Sequence, residues 1–274
     1  MQNLWIFYAP IREKYFTYRG LEPIWFYTTL GLLGLTIVCF LAGNIDGRLF
    51  NGVSVWAKPF KFALSLALFF ATLLVFVRYF PLDYLQRGVG RLIAVSLVWV
   101  ALGEMAYITF SGALGGASHF NSTTPFREIM YMLMGIGATW LVTAPLWFAW
   151  IIGRNNVKND PIVLAIIIGL VLTFVLGGGF GQYLGSQTGH WVDAAATDAN
   201  GVWLFNWTRS GGDLRVAHFF GMHAMQVVPL FALLLPKHWS RGFACSLVVL
   251  FSGSYTVVSV FTFVQAVRGQ PFIT

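Results

Sequence analysis

Seven long apolar stretches dominate the chain, each close to the roughly 20 residues that a membrane-spanning helix needs. They run near residues 24–42, 61–80, 92–110, 130–152, 161–180, 216–235 and 242–267. None alternates apolar and polar positions with the period of two that a membrane barrel requires. In lipid a backbone group must bond within its own segment, so every stretch is expected to be a helix. Pro145 and Pro229 fall inside the fourth and sixth stretches and are expected to kink them. The pattern predicts an all-α fold, a single bundle of seven spans.

The segments between the spans fall into two kinds. Those around Arg87, Asn156 and Lys237 are short and plain. Those at 43–60, 111–129 and 181–215 are long and rich in Gly, Asn, Ser, Trp and Asp. With alternating spans the long ones share one side. Long loops usually carry function while short ones connect, so the chemistry is expected on that side. Of the 17 Lys and Arg residues, ten fall on the other side, with the N-terminus. Lys and Arg favour the cytoplasm, which predicts a cytoplasmic N-terminus and extracytoplasmic long loops. In residues 1–23 a short apolar run precedes Arg12, Lys14 and Arg19, the reverse of a signal peptide. An interfacial lead-in to the first span is expected there. No internal repeat or linker divides residues 1–274, so one domain is expected. Seven spans also do not split into the equal halves of an inverted-repeat transporter.

Composition supports the membrane assignment. Only 10% of the 274 residues are charged and 57% are hydrophobic, against about 25% charged in a soluble domain. A soluble enzyme, a disordered chain and a disulfide scaffold are excluded. The net charge of +7 is placed at the membrane interfaces. No basic run is dense enough to follow a phosphate backbone, so no nucleic acid is expected. Cys39 and Cys245 stand alone in apolar stretches, where lone cysteines pack. The expected setting is an integral protein of a bacterial inner membrane or its eukaryotic equivalent, with the lipid bilayer as its partner.

Scarcity makes the remaining polar residues informative. Glu104 lies within the third span, where a carboxylate is costly and is by default a functional candidate. The sixth span opens with Asp213, Arg215, His218, Met222, His223 and Gln226. On one continuous helix these from Arg215 onward would share a broad face, at about 100° per residue. The two histidines are too far apart in angle to hold one metal from the same helix, which favours an i, i+4 pair. Lys61 is expected to pair with Glu104, while Lys58 is expected to reach toward headgroups. Arg127 and Glu128 precede the fourth span on the same side. His119 and His190 lie in the long loops, and His190 with Asp193 is a possible pair.

These positions predict a polar cavity in the outer half of the bundle, roofed by the long loops. Glu104, His218 and His223 are its catalytic candidates. Lys61, Arg127, Glu128, Arg215 and Gln226 are the substrate-binding candidates. His119, His190, His218 and His223 are the candidate ligands of a metal or a b-type haem, which needs one or two axial histidines. The leading expectation is redox or proton-transfer chemistry on a haem, a metal or a lipid-soluble small molecule, as in a membrane-embedded oxidoreductase or lipid-modifying enzyme. The alternatives are a transporter or proton-coupled channel with the same residues as a relay, and a non-catalytic receptor or assembly subunit.

Overall fold

The structure, a computed structural model, describes residues 22–156 and 160–274. The interfacial assignment of the N-terminal segment, with Arg12, Lys14 and Arg19, falls almost wholly outside the described residues, as does Lys158. The chain is nearly all helical. Five spans are continuous or nearly so: α1 (Pro23–Ile45), α2 (Ala57–Phe76, extended by a 3₁₀ turn to Tyr79), α3 (Gly88–Ala113), α4 (Pro125–Asn155) and α9 (Arg241–Val267). A sixth joins α5 (Pro161–Leu172) to α6 (Gly179–Gly185) through a π-helical segment, Thr173–Gly178. These six are long and apolar enough to cross a membrane. The remaining stretch, the sixth in chain order, is broken: α7 (Leu214–Met222) and α8 (Ala224–Leu234) meet at His223 with a bend of 51°.

Local chemistry sets the helix starts. Proline stands in the first turn of α1, α4 and α5, where its missing N–H costs nothing. Thr124, Asp160, Asp213 and Ser240 cap α4, α5, α7 and α9 by accepting a backbone N–H. The cap at Thr124 begins α4 five residues before the apolar run at 130. Arg127 and Glu128 therefore belong to its first turn rather than to a loop. Likewise α2 begins at Ala57, so Lys58 and Lys61 are both helical. Pro145 is carried inside an unbroken α4, and the sixth span breaks at His223, not at Pro229.

The connections gather at two ends. At one end lie the two-stranded hairpin of β1 (Leu49–Phe50) and β2 (Val53–Ser54), residues 114–124, the long segment 186–213 and residues 268–274. This end is the roof. Within it β3 (Trp191–Val192) pairs antiparallel with β4 (Gly212–Asp213). The apolar core sits in the opposite half. Trp25, Phe70, Leu73, Leu97, Phe148, Ile166 and Leu170 are almost completely buried there. Trp25 donates its indole N–H to the Ala94 carbonyl at 3.0 Å, and Glu22 pairs with Arg91 at 2.7 Å.

Candidate functional site

A buried ionic cluster stitches the roof. Asp213, 1% exposed, accepts the Arg215 backbone N–H at 3.0 Å. The Arg215 guanidinium donates to both Asp213 oxygens, at 2.9 and 2.7 Å, and to Asp198 Oδ1 at 2.7 Å. It also donates to the Asn206 carbonyl at 2.6 Å. His190 lies between Asp198 and Asp213, 3.7 and 3.5 Å away. Burial pushes the Asp213 carboxyl up, but the bonds from Arg215 and the nearby His190 ring outweigh it and hold the group well below the usual carboxylate range. Burial pushes His190 down despite its two carboxylate neighbours, so its ring is neutral at pH 7. The Asp198 N–H reaches the Asn51 carbonyl at 2.7 Å and ties the hairpin to the long segment.

This cluster changes three sequence-based assignments. Arg215 was expected to bind anionic substrate groups, but two carboxylates and a carbonyl already occupy its guanidinium. His190 pairs with Asp198 and Asp213, not Asp193, because the β3–β4 ladder brings Asp213 back beside it. Asp193 packs instead against Gly269. Lys61 does not pair with Glu104. Its ammonium donates to the Phe205 carbonyl at 3.0 Å and to Asn206 Oδ1 at 2.9 Å, holding the roof to α2.

Beneath the roof a string of polar side chains crosses the bundle. The π-helical turns bring the Gly177 carbonyl within 3.0 Å of His218 Nδ1. A carbonyl only accepts, so in the neutral ring the proton sits on Nδ1 and Nε2 keeps its lone pair. Glycines permit this approach: a Cβ on Gly221 would lie 2.5 Å from the Gly177 nitrogen, and one on Gly181 2.9 Å from His218 Cε1. His119 lies within electrostatic range of Lys58 and His218. The His119 ring contacts Phe62 and Tyr131, its Nδ1 is 3.1 Å from Ser118 Oγ, and burial holds it well below the usual histidine range. Lys58 also lies within electrostatic range of Glu104. Lys58 rather than Lys61 is the lysine near the carboxylate, and its ammonium lies 5.6 Å from the centre of the Phe62 ring.

Glu104 is 8% exposed and has no hydrogen-bond partner among the described residues. Its Oε1 lies over Gly137 of α4, where a Cβ would be 2.7 Å away. At the other end of the string, His223 occupies the break between α7 and α8, against Phe219 and beside Gln226. Gln226 donates to Thr72 Oγ1 at 3.0 Å, and its own Oε1 is buried without a hydrogen-bond partner among the described residues. Thr173 Oγ1 accepts the Met225 N–H at 3.1 Å and so holds the broken span together. Thr72 lies about 22 Å below the start of α2 at 1.5 Å per residue. Beyond it the interior is the apolar core.

The remaining candidates stand apart. Glu128 is exposed on the first turn of α4. The Arg127 guanidinium packs over Gly116, 3.1 Å from where a Cβ would be. The four histidines are not one group, because His190 belongs to the roof cluster. Among the described residues no three His, Cys, Asp or Glu side chains come together as a metal site. Gly137 and Thr173 carried no signal in the sequence, and Lys58 was expected to reach toward headgroups rather than to join the site. Lys58 and Glu104 each carried a visible charge, but nothing local showed which lysine faced inward. No protein-family model, curated protein or solved structure matches the chain.

Proposed function

We propose that the protein holds the polar head of a lipid-soluble small molecule beneath the roof and exchanges a proton with it. The observation that carries this is the His218 Nδ1–Gly177 carbonyl bond. It orients the ring and leaves Nε2 as a base at one end of the Glu104–Lys58–His119–His218 string. An acidic O–H on the substrate head would pass its proton to Nε2, and the Lys58 ammonium would stabilise the resulting oxyanion. Glu104, with no partner of its own, is the second proton-exchanging group. Phenolic or quinol-like heads fit, because the surrounding side chains include Phe62, Tyr131 and Phe219. The distribution of Lys and Arg supports a cytoplasmic N-terminus and an extracytoplasmic roof.

The test is binding of a short-chain benzoquinol to the protein in nanodiscs. His218→Gln and Glu104→Gln are each expected to weaken it at least about tenfold, the effect of losing a buried charge-assisted bond. Glu104→Gln keeps the size of the side chain, and thermal unfolding verifies that the variant is folded. Unchanged binding in both variants would overturn the proposal. A Soret band in the purified protein would instead show bound haem and overturn the proposal.

The broken sixth span favours a second reading, transport, because discontinuous helices line many substrate pathways. That pathway would have to continue past Thr72 and Gln226 into the apolar half. Proton flux in proteoliposomes separates the two, with none expected for the one-sided site.

A further inference from the structure

One stripe of α4 carries polar groups that contact with lipid alone does not explain. Tyr131, Gly135, Thr139 and Thr143 follow one another at intervals of four residues and so share a face of the helix. Gly178, Gln182 and Gly185 of the next span meet this side of α4. Gly178 lies against Val142. Gln182 Nε2 donates to Thr139 Oγ1 at 2.6 Å, and the Tyr131 hydroxyl donates to the Gly185 carbonyl at 2.9 Å. The two spans pack closely along α5 and the π-helical segment but hardly along α6. They therefore part toward the roof, where these two side-chain bonds bridge them.

Between the bridges the wall is open. A Cβ on Gly135, midway between Tyr131 and Thr139 in the stripe, would meet nothing within 4 Å. Gly135, Thr139, Gln182 and Gly185 are all exposed at the rim of this window. Two members of the polar string lie behind it. The Tyr131 ring packs on His119, with 5.9 Å between ring centres, and Gly181 of α6 lies against His218. Thr139 is the fifteenth of the 31 residues of α4, and Gln182 is the twenty-second of the 25 in its span. The bond between them thus falls in the roof-side half of the hydrocarbon core. There the Gln182 carbonyl oxygen is exposed and has no hydrogen-bond partner among the described residues. An unpaired amide oxygen is costly in hydrocarbon. An acyl chain offers it nothing, whereas a hydroxyl on a passing head group would satisfy it. We infer that the window between α4 and α6 admits the substrate sideways from the roof-side leaflet. On the proton-exchange reading, the substrate is then a hydroxylated ring with a long hydrocarbon tail. Its head reaches His119 and His218, and its tail runs out between Tyr131 and Thr139 into lipid.

Two probes test this in nanodiscs, the short-chain benzoquinol and a decyl-tailed one. Gly135→Phe plugs the window and is expected to weaken binding of the tailed quinol at least about tenfold, as overfilling a packed space does. Binding of the short one should be unchanged. Gly253→Phe, at an equally open and exposed position on α9, should bind both as the native protein does. Phenylalanine and leucine are better helix formers than glycine, so the fold is retained, and thermal unfolding verifies it. Gly135→Leu, a smaller plug, should show the same split between the two quinols. Undiminished binding of the tailed quinol to both Gly135 variants would overturn the inference. Equal weakening of the two quinols would also overturn it, since Gly135 would then belong to the pocket of the head. If neither quinol binds the native protein, the proton-exchange reading is itself overturned and the inference falls with it.

Discussion

The His190 side chain shows how few atoms set the behaviour of the roof. Its ring is wedged between Asp198 and Asp213, and burial keeps it neutral. A histidine whose folded value is depressed contributes stability above the unfolded value, about 6.5, and loses it as pH falls below that. Asp213, also depressed in the folded protein, contributes above the unfolded carboxylate value of about 3.9 and loses that contribution in stronger acid. The roof is therefore expected to weaken in two stages on acidification. In thermal unfolding followed against pH, His190→Gln should flatten the fall between about pH 7 and pH 5 and leave the one below about pH 4. An identical profile in the variant would remove His190 from this role. At this scale the sequence was legible in residue type but not in pairing. Glu104, His218 and Arg215 stood out because charge and imidazole are rare in spans. Partners were misassigned wherever they depended on a loop's path, as with Lys61 and Asn206, or on the helix start that turned Lys58 inward.

Among the elements, the contact between the π-helical segment and α7 positions His218. Two glycines, Gly177 and Gly221, meet backbone to backbone, and Thr173 bridges the break that follows. Backbone atoms at this distance have no flexible end that can move aside. Gly221→Ala is thus expected to destabilise the protein by about 3 kcal/mol, the upper range for overpacking, and to pull the His218 ring off the Gly177 carbonyl. Thermal unfolding measures the first effect, and benzoquinol binding the second. A neutral alanine would mean that the two spans are separated more widely than the structure shows. The spans themselves were legible from hydropathy because a bilayer fixes their length. The π-helical turns were not, since Thr173–Gly178 differs from α-helix only in which carbonyl each N–H selects. The break at His223 was concealed by Pro229, the stronger helix breaker on sequence grounds.

At the scale of the whole molecule the two halves have divided roles. The half away from the roof is packed apolar core; the roof half holds the polar string and the ionic stitching. With the native cysteines replaced, Trp203→Cys and Ile273→Cys, both at exposed roof positions, should label with an impermeant thiol reagent from one face of the membrane only. Ser240→Cys, before α9, should label from the other face. Labelling of Trp203→Cys from the cytoplasmic side would reverse the proposed orientation. The one-sided clustering was legible in the sequence because loop length and polar content coincide. The roof also draws on residues beyond the last span: Gly212 abuts Ala266, Gly269 faces Asp193, and Phe272 packs on Trp207. Translation delivers these residues after the roof segments on which they pack, so the roof reaches its final form late in biogenesis, once α9 and residues 268–274 dock on Asp193, Trp207 and Gly212.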